Sequence, residues 1–314
     1  MKYLNLDRDF NPFGTHSPQQ ITFESFTFKG GEPHIKLDVN SFLSRHLDYD
    51  KIITITHRIN SFNDLGLLVV AVDAVRKELL RTRMYDIKLE LLIPYFPAAR
   101  QDRLMIQGEP LTVKVYTDII NSLKFSRVTI IDPHSEVTPA LLDNVQVVDN
   151  HKFVLNVLKD IYPQREAPTP ILISPDAGSN KKIGSLAKYL SEYNVMDVVK
   201  CDKTRDIRTG EITNFEVYSD SLNGRDCIIV DDICDGGGTF LGLGTRLKEK
   251  GCGKLYLVVT HGIFSQGFKN LNEMFEMVYT TDSIKNYGPN YASDHMHHLG
   301  FLPKVKEIKT RNIL

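Results

Sequence analysis

The sequence predicts an α/β protein with two similar domains, each a mostly parallel sheet flanked by helices. Apolar runs rich in β-branched residues alternate with longer segments of helical periodicity along the chain. Such alternation is typical of parallel sheets, because a connection between parallel strands crosses the sheet, usually through a helix. In addition, a buried strand ends in polar residues in each half, VTIIDPHSE in the first and IIVDDICDGGG in the second.

The elements follow from these runs in chain order. The predicted strands occupy residues 51–55, 87–96, 127–132, 145–149, 170–174, 195–200, 227–232 and 254–260. The predicted helices occupy residues 63–82, 111–123, 152–161, 178–192 and 239–250. We place the domain boundary near residues 148–151. This gives an N-terminal domain over 1–148, a C-terminal domain over 149–290, and a segment over 291–314 expected to pack back on the N-terminal domain.

Composition and charge exclude several classes of protein. The chain has 314 residues and a net charge of -1, so no global field favours nucleic acid or a membrane surface as partner. The longest apolar run, residues 65–75, contains Asp73 and is too short to span a bilayer. The N-terminus lacks the apolar core of a signal peptide, and the four cysteines show no CxxC spacing. We therefore expect a cytoplasmic protein with reduced thiols.

The segment CIIVDDICDGGGT, residues 227–239, places two carboxylates at the end of a buried strand and glycines at the start of a helix. A glycine-rich turn before a helix exposes backbone N–H groups, and the helix dipole favours an anion there. Asp231 and Asp232 are acceptors only, so they suit the hydroxyls of a sugar or a metal. A sugar phosphate fits both features, because its hydroxyls can donate to the acid pair and its phosphate can bind at the glycine turn.

Other segments carry polar groups after apolar strands. In LLIPYFPAARQDR, residues 91–103, arginines stand beside aromatic residues. This combination can stack on a purine and bind phosphate. A charged loop taken alone, however, is more often a solvated surface. His134 and Asp176 also follow predicted strands. Taken alone, the first could be a structural histidine and the second a helix cap.

These motifs together resemble a known family. CIIVDDICDGGGT is similar to the ribose-phosphate-binding motif of type I phosphoribosyltransferases, and LLIPYFPAARQDR looks like the ATP-binding segment of ribose-phosphate pyrophosphokinases (PRPP synthetases). The resemblance extends in order over almost the whole chain, through FTFKGGEPHIKL (26–37), NDLGLLVVAVDAVRK (63–77), IDPHSE (131–136), SPDAGSNKK (174–182), CDKTRDIR (201–208) and THGIFS (260–265). The chain is identified as a divergent member of that family, with a viral source, and hence the host cytoplasm, left open.

The resemblance implies a Mg²⁺-dependent reaction that moves the β,γ-diphosphate of ATP to the anomeric hydroxyl of ribose 5-phosphate. The implied ATP-binding residues are Phe28, Glu32, Arg100, Gln101 and Asp102. The implied ribose-phosphate-binding residues are Asp231, Asp232, Asp235, Gly236, Gly237, Gly238 and Thr239. The implied catalytic residues are Lys203, Arg205 and His134, and the implied metal ligands are His134 and Asp176. The family forms dimers that stack into hexamers, with Phe28 and Glu32 completing the adenine pocket of the partner subunit, so we expect a homo-oligomer.

The chain departs from the family pattern at several positions. Gly30 stands where an acidic residue is usual, Gly236 replaces a threonine, and Gly262 replaces a proline. The loop after Arg103 reads LMIQGEP where relatives are strongly basic. Divergence alone is one explanation. Alternatively, Gly236 opens the phosphate cradle to a substituted 5-phosphate, notably ADP-ribose, giving ADP-ribose diphosphate for NAD synthesis.

Two rival classes remain open from the sequence. A phosphoribosyltransferase that consumes PRPP would not need the segment at 100–102. A non-catalytic regulatory subunit would be expected to lose the flap cations, whereas this chain keeps Lys203 and Arg205, with Arg208 nearby. The histidines of DHMHHLG, at positions 295, 297 and 298, form no convincing metal-ligand set.

Overall fold

The structure is a computed structural model that describes residues 2–13, 19–43, 51–163, 169–191, 197–205, 212–287 and 304–314. The chain divides into two compact units between Asp149 and Asn150, with Leu314 grouped with the first unit. Arg208 and the histidines at 295, 297 and 298 lie outside the described residues.

The first unit is built on a five-stranded sheet in which every neighbouring pair is parallel. Its strand order is β1-β4-β5-β6-β7, and β2 and β3 form a separate antiparallel hairpin. The elements are β1 (Lys2–Asn5), β2 (Phe23–Thr27), β3 (Pro33–Leu37), α1 (Val39–Leu43), β4 (Ile52–Thr56), α2 (Phe62–Arg81), β5 (Lys88–Ile93), α3 (Thr112–Ser122), β6 (Arg127–Ile131), α4 (Val137–Leu141) and β7 (Val145–Val148).

The second unit is built on a seven-stranded sheet, ordered β10-β9-β8-β11-β12-β13-β14. Only the β9–β10 pair is antiparallel among its described strands. The elements are α5 (His151–Ile161), β8 (Ile171–Ser174), α6 (Asn180–Leu190), β9 (Val198–Arg205), β10 (Ile212–Val217), β11 (Cys227–Cys234), α7 (Gly238–Glu249), β12 (Leu255–Gly262), α8 (Lys269–Met274), β13 (Met277–Thr281) and β14 (Val305–Ile308).

The predicted fold class is confirmed, since both units are parallel sheets flanked by helices. Each of the eight predicted strands has a counterpart in the sheets, from β4 to β12. The unpredicted elements are short or largely exposed, such as the hairpin strand β2. In the described part of the C-terminal segment, β14 pairs with β13 and so extends the sheet of the second unit. None of the described helices is long and apolar enough to cross a membrane.

The central strands owe their apolar sequences to burial on both faces. All eight residues of β12 are buried, and seven of the eight residues of β11 are buried. Strands covered by helices on both faces lose the alternation of apolar and polar residues that marks a half-exposed strand. The two polar residues of β11 lie near its carboxyl end, where Asp231 is half-buried and Asp232 is buried.

His57 is an unusual residue in the core of the first unit. It follows β4, is 4% exposed, and neither ring nitrogen has a hydrogen-bond partner among the described residues. Burial lowers the pKa of His57 below its ordinary value, more than the carboxylates of Asp64 and Asp7 raise it. The folded protein therefore holds this side chain neutral.

His57 makes stability sensitive to acid. The pKa of His57 in the folded protein lies below its unfolded value of 6.5. The contribution of neutral His57 to stability is therefore fully present above pH 6.5 and is lost as the pH falls toward the folded pKa. We expect the free energy of unfolding to fall by at most about 1.4 kcal/mol per pH unit from this proton. Urea denaturation between about pH 7 and pH 5 should show a shallower acid dependence for His57→Leu than for wild type. The exposed His34→Leu is the control, and equal slopes for all three proteins would contradict this account.

Gly262, at the end of β12, is required by its neighbours. A Cβ atom there would lie 2.2 Å from Cε2 of Phe264 and 2.7 Å from Oγ1 of the buried Thr280. The Phe264 ring cannot easily move away, because it packs on Phe268 and Tyr287 at centroid distances of 4.7 and 5.2 Å. The Tyr287 hydroxyl also donates to the Gly262 carbonyl at 2.8 Å. Gly262, which stands where the family has a proline, thus leaves the space that the Phe264 ring and its aromatic neighbours occupy.

We predict that Gly262→Ala destabilises the protein by about 1–3 kcal/mol, because the methyl group has no room. Gly184→Ala is the matched control, since a Cβ at this position of α6 would meet nothing within 4 Å. That substitution should instead raise the free energy of unfolding by roughly 0.5–1 kcal/mol, through helix propensity. Chemical denaturation of both variants measures the difference, and equal stabilities would show that the aromatic cluster relaxes freely.

Candidate active site

The acid pair and the glycines form one continuous strand–loop–helix unit. β11 carries Asp231 and Asp232 near its carboxyl end, and the loop that follows leads into α7 through Gly237. Gly237 has a φ of 80° and caps the helix, a left-handed conformation that suits glycine. The first turn of α7 leaves backbone N–H groups without intrahelical partners. The unit therefore offers hydroxyl acceptors and an anion cradle side by side.

Asp231 lies in a cluster of negative charge. Burial raises the pKa of Asp231 well above its ordinary value, and the carboxylates of Asp232 and Asp176 raise it further. Asp232 is buried, and its backbone N–H donates to Oδ1 of Asp231 at 2.9 Å. The cluster follows from topology, because β8, which leads to Asp176, pairs in parallel with β11. A cation or hydroxyl donors at this edge would relieve the repulsion.

Asp176 has two structural roles at once. Its Oδ1 accepts a hydrogen bond from the backbone N–H of Ser179 at 3.0 Å, in a capping box that begins a 3-10 turn. Its Oδ2 pairs with Nζ of Lys203 at 2.5 Å. Asp176 is therefore a helix cap, as its position alone suggested, and it also contacts Lys203, another predicted site residue.

The expected flap is a hairpin in its described part. β9 and β10 pair antiparallel, with Lys203 opposite Phe215 and Arg205 opposite Ile212. Lys203 is half-buried and points its ammonium group to Asp176. Arg205 is the last residue of β9. The Lys203 side chain thus joins the acid cluster, since β9 is the neighbour of β8 in the sheet.

A second loop lies against the glycine loop, and no sequence pattern predicts the contacts between them. The Ser265 hydroxyl, beyond β12, donates to Oδ1 of Asp235 at 2.6 Å. A Cβ placed on Gly236 would lie 3.4 Å from Cγ of Gln266, an ordinary contact distance. A residue with a β-carbon is therefore sterically compatible at this position, so packing does not force Gly236 to be glycine.

In the first unit, two motifs meet at the same sheet edge. β5 precedes the Arg100–Asp102 segment and β6 precedes His134, and these strands are parallel neighbours. Burial favours a higher pKa for Asp102, but hydrogen bonds from Ser135 and Arg103 and the charges of Arg103 and His134 outweigh it and lower the pKa. Arg100 and Gln101 are exposed. Asp102 therefore serves to join the two loops, whereas Arg100 and Gln101 face solvent.

The His134 loop has a strained backbone. Asp132, at the end of β6, has a φ of 40°, is 3% exposed, and donates its N–H to the Val148 carbonyl at 2.8 Å. A non-glycine residue in this region costs free energy and persists where surrounding contacts hold it. The strain marks the loop that carries His134 as a site whose geometry the fold enforces.

The hairpin residues Phe28 and Glu32 form a separate exposed feature. Phe28 is 52% exposed, and its ring contacts Phe26 and His34 at centroid distances of 4.9 and 5.5 Å. Any Cβ on Gly30 would lie 2.6 Å from the Glu32 carboxylate. The Glu32 side chain therefore covers the position where the family's usual acidic residue would begin.

The donor set is compatible with Mg²⁺. This ion prefers oxygen ligands and keeps several waters, so one or two carboxylates plus substrate phosphates suffice. Within the described residues no group of three or more His, Cys, Asp and Glu forms a complete metal site. Burial and the nearby carboxylates of Asp232 and Asp176 raise the pKa of Asp231, and a bound cation would favour its charged form. Asp176 belongs to that cluster.

Comparisons with known proteins identify the family. A family model described as the phosphoribosyl synthetase-associated domain matches residues 197–286. The chain is 34% identical over 226 residues to a ribose-phosphate pyrophosphokinase of Vibrio cholerae, covering 71% of this chain and 67% of that protein. It is 36% identical over 221 residues to the ribose-phosphate pyrophosphokinase of Buchnera aphidicola, covering 69% and 65%.

A solved structure shows the same fold. The phosphoribosylpyrophosphate synthetase of Mycobacterium smegmatis superposes with a TM-score of 0.75, covering 99% of this chain and 95% of that one, at 18% identity. The family expected from the sequence motifs is confirmed. The chain belongs to the ribose-phosphate pyrophosphokinases and is an enzyme of the diphosphokinase type.

Proposed function

We propose that the protein transfers the β,γ-diphosphate of ATP to the anomeric hydroxyl of ribose 5-phosphate, giving PRPP and AMP in a Mg²⁺-dependent reaction. The observation that carries this proposal is the strand–loop–helix unit in which Asp231 and Asp232 run directly into the glycine start of α7. Family membership supports the reaction type.

The acceptor would bind along this unit. Backbone N–H groups from Gly236 to Thr239 would hold the 5-phosphate, with the α7 dipole favouring its charge. Asp231 and Asp232 would accept hydrogen bonds from the 2- and 3-hydroxyls. These donors would replace the unfavourable contact between the two carboxylates that raises the pKa of Asp231 in the free protein.

Transfer would depend on positioning and charge neutralisation more than on covalent chemistry. Lys203, which pairs with Asp176 in the free protein, would exchange this partner for the moving diphosphate. Arg205 and His134 would add positive charge or hydrogen bonds to the same group. Bound Mg²⁺, held by Asp176 and by His134 directly or through water, would neutralise charge on the phosphates.

The nucleotide would bind to Arg100 and Gln101, with Asp102 fixing their loop. Phe28 and Glu32 would complete the adenine pocket of a partner subunit, and the exposed Phe28 ring supports a homodimer or hexamer. A cytoplasmic location is part of the proposal, because the four cysteines are free thiols and a reducing compartment keeps them so.

The proposal predicts AMP release from MgATP and ribose 5-phosphate by the purified protein, measured with PRPP by chromatography and mass detection. Asp232→Asn should lower the rate by about 100-fold or more, because it removes a charged acceptor at the ribose. Asp220→Asn, an exposed acid outside the unit, should retain the wild-type rate. Equal losses in both variants, or no AMP from any acceptor, would contradict the proposal and leave a binding role without turnover.

ADP-ribose is a second candidate acceptor, and the space at Gly236 favours it. A Cβ fits there at 3.4 Å from Gln266, so the glycine is not demanded by packing, and Gly238 has nothing within 4 Å of a Cβ. The open surface at these two glycines could receive a 5-phosphate with a second arm. The product, ADP-ribose diphosphate, would serve NAD synthesis.

Gly236→Thr tests this second candidate. If the loop is open to admit ADP-ribose, the substitution should lower turnover of ADP-ribose about 10-fold or more while ribose 5-phosphate turnover is maintained or increased, since a hydroxyl donor is restored. The measurement is AMP release with each acceptor, and Gly184→Ala controls for a general effect on folding. Unchanged discrimination between the two acceptors would mean that Gly236 reflects divergence alone.

A further inference from the structure

Cys227 and Cys252 lie at the two ends of the strand–loop–helix unit. Cys227 is the first residue of β11, and Cys252 follows the end of α7 by three residues. Two backbone hydrogen bonds of 2.8 Å join the two segments. The Cys227 N–H donates to the Lys254 carbonyl, and the Gly253 N–H donates to the Arg225 carbonyl. Both side chains contact the same hydrophobic cluster, with Cys227 inside it and Cys252 against its surface.

The two thiols lie in neighbouring segments and differ in their surroundings. The Cys227 Sγ donates to the Arg225 carbonyl at 3.7 Å, and the neighbouring Cys252 thiol and burial raise the pKa of Cys227. The Cys227 thiol and the Lys248 ammonium lower the pKa of Cys252, against the effect of burial. Cys252 is half-buried, whereas Cys201, Cys227 and Cys234 are fully buried. Cys252 therefore has partial access to solvent, whereas Cys227 in the neighbouring segment is shielded from it.

We infer that Cys252 and Cys227 form an oxidation site, in which Cys252 reacts with a peroxide and Cys227 resolves the product to a reversible disulfide. A partly exposed cysteine on a segment hydrogen-bonded to that of a buried second cysteine is the arrangement that this chemistry needs. No residue of the pair belongs to the substrate-binding set, so the site is separate from the proposed reaction.

The chemistry balances as a two-electron oxidation. The Cys252 thiolate attacks one oxygen of hydrogen peroxide, the O–O bond breaks, and hydroxide leaves and takes up a proton to give water. The sulfenic acid on Cys252 is then attacked by the Cys227 sulfur. An S–S bond forms, the S–O bond breaks, and the departing hydroxide takes the Cys227 proton. Two thiols and one peroxide thus give one disulfide and two waters, and a dithiol reductant reverses the change.

The disulfide would close a loop that contains the acid pair and the glycine turn. Both ends of the β11–α7 unit would be covalently tied, which restricts local opening of this segment. The expected consequence is slower amide hydrogen exchange in α7 of the oxidised protein than of the reduced one.

The test uses the full-length, reduced protein treated with hydrogen peroxide at neutral pH. We expect two of the four thiols to be lost, a mass decrease of two hydrogens, and a Cys227–Cys252 linked peptide after proteolysis, all restored by dithiothreitol. Dimedone added with the peroxide should label Cys252 in the wild-type protein, so the result does not depend on any variant folding. Oxidation mainly at Cys201 or Cys234, or a disulfide between chains, would overturn the inference.

Variants separate the two roles. Cys252→Ser should leave Cys227 reduced, whereas Cys227→Ser should stop at the dimedone-reactive sulfenic acid on Cys252. Cys201→Ala, a cysteine of β9 outside the pair, should still form the disulfide. Lys248→Gln should slow the peroxide reaction several-fold at neutral pH and shift its pH profile upward, because the cation no longer favours the thiolate. An unchanged pH profile would show that exposure alone, without activation, governs Cys252.

Discussion

The burial of Asp231 beside two further carboxylates, Asp232 and Asp176, is the constraint that shapes the polar edge of the sheet in the second unit. A buried strand delivers two acids to one edge of the sheet, and burial makes their charge costly there. Lys203 supplies a positive charge at this edge. It lies on β9, two positions from β11 in the sheet, and its ammonium group pairs with Asp176. A ligand that brings hydroxyl donors or a cation to this edge is favoured for the same reason.

The loops around this edge are held by packing that differs from the family pattern. The Phe264 cluster requires Gly262, because any side chain there meets the ring and Thr280. Gly236 is different, since a Cβ at that position makes only an ordinary contact with Gln266. One departure from the family therefore has a structural cause within the chain. Packing gives no such cause for the other departure, which leaves divergence and ligand binding as its two explanations.

Sequence patterns predicted the features that depend on local order and strand polarity. The acid pair, the glycine turn and the β-strands that carry them follow from burial and from turn chemistry. The pairing of Lys203 with Asp176 could not be predicted, because it depends on which strands become neighbours in the sheet. The contact of Ser265 with Asp235 was missed for the same reason, since 30 residues separate them along the chain.

Short elements escaped prediction because they depend on tertiary contacts. The hairpin of β2 and β3 has few buried residues, and β14 of four residues exists as a strand only through its pairing with β13. Asp102 is a similar case among the site residues. A charged residue in a polar loop predicts exposure, yet it is 8% exposed and linked to the His134 loop, which only the adjacency of β5 and β6 explains.

The central claim is that the acid pair and the glycine turn together hold a ribose phosphate. A crystal structure of the protein with ribose 5-phosphate tests it most directly. The account predicts the phosphate at the backbone N–H groups of residues 236–239, with the 2- and 3-hydroxyls about 2.6–3.0 Å from the carboxylates of Asp231 and Asp232. A sugar phosphate bound elsewhere, or bound in this loop with its hydroxyls turned away from both acids, would contradict it.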